Sequence, residues 1–72
     1  MQLLNNNAHS AQLLISLDEL YILHQSLNEV CHGIDLFEFE TRMGASRKEV
    51  EGLMKSIRII IEKLERTEGI AE

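Results

Sequence analysis

The chain has 72 residues, with seven Lys or Arg against twelve Asp or Glu and a formal net charge of −5. That length gives room for one small domain, and a single cysteine excludes an intrachain disulfide framework to staple it. Stability must therefore come from helix packing or from association, and the acidic balance opposes binding to phosphates.

Residues 1–10 carry an Asn5-Asn6-Asn7 run and little pattern, and read as a flexible N-terminal arm. They contain no Lys or Arg and no sustained apolar stretch, so they do not read as a signal peptide. Gln2-Leu3-Leu4 echoes Gln12-Leu13-Leu14, but two triplets do not make a repeat. Residues 11–15, Ala-Gln-Leu-Leu-Ile, read as a short extended segment. A lone strand is unstable, so the strand predicts an antiparallel partner in a second subunit.

Residues 11–66 read as a single, mainly α domain of three helices with this short N-terminal strand. Three capping boxes predict the starts: Ser16 with Glu19, Asp35 with Glu38, and Ser46 with Glu49. Gly33 and Gly44 stand where the first two helices should stop, as left-handed C-caps. The first helix spans about 17–32, with Leu20, Leu23, Leu27 and Val30 as its apolar stripe. Leu17, Tyr21, His24 and Cys31 flank that stripe. The second helix, about 36–43, is too short to stand alone and offers Phe39 and Met43.

The third helix, about 47–66, places Val50, Leu53, Ile57, Ile60 and Leu64 at alternating three- and four-residue steps. Met54, Ile59 and Ile61 make its middle apolar nearly all round. Two shorter helices cannot cover that circumference, and burying each such side chain is worth about 1.5–3 kcal/mol. A second subunit is the simplest cover. The expected dimer interface is Leu13, Ile15, Ile57, Ile60, Ile61 and Leu64. Residues 67–72 are expected to fray.

Residues 36–55 resemble a helix-turn-helix, and Gly44-Ala45-Ser46-Arg47 is similar to the turn of many bacterial repressors. Glu40 departs from that pattern, because the family wants a small residue there and a carboxylate would crowd the helix crossing. Arg47, Lys48 and Lys55 are the candidate DNA contacts, yet Asp35, Glu38, Glu40, Glu49 and Glu51 lie close by and would repel phosphates. A corner that serves structure is the favoured reading, with nucleic acid disfavoured.

No catalytic or cofactor site is expected. His24 and Cys31 lie two helical turns apart, too far to share one ion, so no metal site is expected either. Carboxylates are plentiful, but no phosphate loop or nucleophile elbow accompanies them. Leu27-Asn28-Glu29-Val30-Cys31-His32-Gly33 followed by Phe37-Glu38-Phe39-Glu40-Thr41-Arg42-Met43-Gly44 resembles a group of small bacterial proteins of unknown function. That resemblance implies a compact helical domain and assigns no functional residue. The sequence thus predicts a small cytoplasmic, homodimeric interaction or regulatory protein with an unidentified protein partner, no membrane association and no enzymatic activity. The alternative is a helix-turn-helix transcriptional regulator.

Overall fold

The computed structural model describes residues 1–71, with side chains described through Thr67. Two strands, β1 (Gln2–Asn6) and β2 (Ala11–Leu14), precede three helices: α1 (Leu17–Asn28), α2 (Phe39–Met43) and α3 (Arg47–Ala71). The fold is mainly helical, but its N-terminus is a two-stranded antiparallel sheet.

The first correction lies there. Residues 2–6, expected in an unstructured arm, form the partner of β2 within the same chain. Gln2 lies opposite Leu14 and Leu3 opposite Leu13, with an irregularity between Leu3 and Asn5. The two Gln-Leu-Leu triplets are thus the paired strands of a hairpin. Asn7 closes it: its Oδ1 accepts from the His9 and Ser10 amides at 2.7 and 2.9 Å, while its own amide donates to the Ser10 carbonyl at 3.0 Å. Short amides that bond their own backbone hold turns in this way.

Two of the three capping boxes form. Ser16 Oγ accepts from the Glu19 amide at 3.1 Å, and Glu19 Oε1 accepts from the Ser16 amide at 3.0 Å. Ser46 and Glu49 repeat the exchange, both bonds at 3.1 Å. The box expected at Asp35 does not form. The second helix begins only after Glu38, which sits at φ 54° with no capping bond from its side chain. Such a left-handed backbone is strained for any residue with a Cβ.

The helix stops divide similarly. Gly44 takes φ 73° and its amide donates to the Glu40 carbonyl at 2.8 Å, as a left-handed C-cap. Gly33 does not take a positive φ. Instead α1 widens into a π turn over Glu29–Gly33, which the Ile34 amide closes onto the Glu29 carbonyl at 3.0 Å. Glu40, expected to crowd a helix crossing, is exposed, so that conflict does not arise. The third helix continues past the expected end at Arg66 to Ala71. The fraying expected over 67–72 falls largely outside the described side chains.

The core is formed by α1, the π turn and α3. Among the described residues its buried members are Leu20, Cys31, Val50 and Ile61, and no side chain there is wholly sealed from solvent. Leu17, Leu23, Leu27, Met54 and Ile57 are half-buried around them. Tyr21 Oη donates to Glu65 Oε2 at 2.5 Å, joining α1 to the far part of α3. The radius of gyration is 14.4 Å, against about 11 Å for a compact domain of this length.

Candidate interaction surface

Every residue of β1 and β2 is exposed. Leu3, Leu4, Leu13 and Leu14 are among them, with Leu3 57% and Leu13 44% exposed. Four leucines on a hairpin that covers nothing are unusual, because an isolated pair of strands is marginal in water. Ile15, at the exit from β2, is half-buried.

The third helix presents a second apolar surface. One turn is about 3.6 residues, which places Val50, Met54, Ile57 and Ile61 on one stripe. That stripe is buried or half-buried, on the α1 side. Leu53, Ile60 and Leu64 lie about 60° round the helix and remain exposed, at 55%, 49% and 37%. Ile59 points away from both stripes and is also exposed. The alternating run from Val50 to Leu64 is therefore divided between two faces. Ile61, expected at a subunit seam, is only 7% exposed because its own chain covers it. Ile57 is half-buried, whereas Leu13, Ile60 and Leu64 keep open surface.

The corner between α2 and α3 has a different character. The Arg47 guanidinium stacks over the Phe39 ring, 4.5 Å from its centroid. Its Nη1 donates to the Cys31 carbonyl in the π turn. One side chain thus ties α3 to α2 and to the end of α1, a role that sequence reasoning missed. The π turn could have been suspected only from the tertiary arrangement, since nothing in Glu29–Gly33 marks a widened helix. Lys48 and Lys55, the other candidate DNA contacts, are exposed on α3. His32 Nε2 lies 3.9 Å from Glu51 Oε1, a loose, exposed pair.

Hydrogen bonds at the two formed caps shift their carboxylates. The Glu19 carboxyl is held below its ordinary value of 4.5, first by a hydrogen bond from the Met1 amino group, at 2.5 Å, and then by the Ser16 amide. The Glu49 carboxyl is lowered by the Ser46 amide and then by the Ser46 hydroxyl. Both shifts arise from hydrogen bonds to the charged form. They belong to helix starts, not to a reactive centre.

A small groove between α1 and α3 is lined in part by His24, Arg58, Glu62 and Glu65. His24 is half-buried and Cys31 buried as a free thiol. Among the described residues, no three His, Cys, Asp or Glu side chains converge as a metal site, and no helix is long and apolar enough to cross a membrane. Comparison with protein-family models, with curated proteins and with solved structures finds no match to the chain.

Proposed function

We propose that this chain is the protomer of a small cytoplasmic homodimer whose role is to bind another protein, without enzymatic activity. The observation that carries the reading is its surface. The accessible area is 5865 Å², whereas a folded monomer of 8.3 kDa exposes about 4,600 Å². The surplus of roughly 1,300 Å² exceeds the ~800 Å² that each partner buries in a standard interface and falls in the range of permanent dimers. Its apolar portion includes the four leucines of the hairpin and the Leu53–Ile60–Leu64 stripe, beside Ile22, Ile34 and Phe37 elsewhere on the surface. The buried, reduced thiol of Cys31 suits a reducing compartment.

The DNA-reading alternative has less support. Arg47 is engaged by Phe39 and the Cys31 carbonyl, which leaves Lys48 and Lys55 beside Glu49 and Glu51. Light scattering on the purified chain tests the main reading: the expected mass is twice 8.3 kDa. A folded monomer at micromolar concentration would overturn it. Retention of duplex DNA at low salt, weakening as salt rises, would move the assignment to a DNA-binding regulator.

A further inference from the structure

We propose that the outer edge of β2 pairs antiparallel with β2 of a second copy about a twofold axis at Gln12, forming one four-stranded sheet of order β1-β2-β2-β1. The inference rests on the homodimer reading and specifies how the two copies meet.

A two-stranded sheet leaves one edge of each strand open. Natural proteins protect such edges with Lys, Pro, inward charges or bulges. From Gln2 to Leu14 there is no Lys, Arg, Asp, Glu or Pro. Only β1 is protected, by the irregularity between Leu3 and Asn5, while β2 keeps a regular register. The open edge of β2 is thus the unguarded one.

The hydrogen-bond pattern then selects the axis. The Asn7 amide donates to the Ser10 carbonyl at 3.0 Å, so these two residues face each other as a hydrogen-bonded pair. In an antiparallel ladder such pairs alternate with non-bonded ones. Along β2 the alternation turns the N–H and C=O groups of Gln12 and Leu14 toward β1, and those of Ala11 and Leu13 outward. Ala11 and Leu13 are symmetric about Gln12. A twofold through Gln12 sets Ala11 of one copy opposite Leu13 of the other and satisfies all four outward groups of each strand. It also aligns Leu3, Leu13 and the partner copy's Ala11 on one face, an apolar row across the joined sheets. Three or more strands are needed for a sheet to be stable, and the wholly exposed hairpin lacks them by itself. The roughly 1,300 Å² of surplus surface per chain leaves ample area for this contact together with the α3 stripe.

Gln12→Cys tests the arrangement, because directly opposed residues of a non-bonded antiparallel pair sit about 4.5 Å apart, within disulfide reach. Under mild oxidation the greater part of the Gln12→Cys chain should run as a covalent dimer on non-reducing gels. The native chain, whose only thiol is the buried Cys31, should not. Hydrogen exchange on the unmodified protein gives a second readout: the Ala11 and Leu13 amides should exchange about tenfold or more slowly than in the diluted monomer. A dimer by light scattering in which Gln12→Cys does not cross-link and both amides exchange freely would overturn the sheet pairing and leave the homodimer standing. A folded monomer at all concentrations would overturn both.

Discussion

The helical pair and the hairpin are built from similar aliphatic residues but are stabilised very differently. Leu20 on α1 is 4% exposed, while Leu14 on β2, six residues earlier, is 57% exposed. Both belong to regular elements with sound local signals, so propensity does not separate them. The difference is whether the chain supplies a facing layer. Helix α1 has α3 against it, whereas β1 and β2 pack chiefly on each other. Local structure and burial are separate achievements, and the hairpin leucines have only the first.

The largest expected effect lies in the helical pair. Leu20→Ala should cost about 2–5 kcal/mol, enough to unfold much of so small a domain, and the loss should appear in a thermal melt at every protein concentration. Leu13→Ala should instead act through association, with a melting temperature that depends on concentration. If both variants lost the same stability regardless of concentration, the distinction between the two regions would fail.

The two faces of α3 provide the next contrast. Ile61→Asp should unfold the chain, since it places a carboxylate between α1 and α3. Ile60→Asp should keep the helical circular-dichroism signal and yield a monomer by light scattering. An Ile60→Asp chain that stays dimeric would remove the Leu53–Ile60–Leu64 stripe from the interface.

Arg47→Ala probes the corner. It removes a charge-assisted hydrogen bond to the Cys31 carbonyl and the stacking on Phe39, and should cost about 1–2 kcal/mol in urea unfolding. A neutral outcome would return Arg47 to the pool of free surface cations. At the neighbouring turns, Gly44→Ala should destabilise by about 1 kcal/mol, while Glu38→Asn should stabilise by several tenths, because asparagine tolerates positive φ better than glutamate. Both are read from denaturant midpoints.

The smallest effect is one of pH. Glu19 and Glu49 have folded-state pKa values below the ordinary 4.5. Their stabilisation is therefore present in full above about pH 4.5 and declines as pH falls through the lowered folded values. Glu19→Gln and Glu49→Gln should each flatten that acid limb of the stability profile. An unchanged limb in the double variant would show that the caps do not govern it.

Much of the helical architecture was legible because its signals are local. Ser16 with Glu19 and Ser46 with Glu49 mark helix starts whose partners are three residues away, and Gly44 marks a stop within the same range. The Asp35 box misled for a related reason. A capping signal needs a backbone free to enter a helix at once, and here the chain turns through Glu38 first. In the hairpin, the repeated Gln-Leu-Leu triplets and the Asn run were visible, but their pairing depended on a turn held by the Asn7 side chain.

The candidate surface was only partly legible. Helical spacing identified α3 as apolar around most of its circumference, but not which residues its own chain would cover. Ile60 and Ile61 are adjacent, aliphatic and alike in propensity, yet one is 49% and the other 7% exposed. The rotation of α3 against α1 separates them, and that rotation is a property of packing. The sequence by itself determined the first and third helix starts, the caps at Ser16, Ser46 and Gly44, and an excess of apolar side chains over what a single small core can hold. Only the tertiary structure decided that β1 closes a hairpin, that Arg47 clamps the π turn, and which stripe of α3 remains open. Local hydrogen bonds act over three or four residues, whereas burial depends on elements brought together from distant parts of the chain.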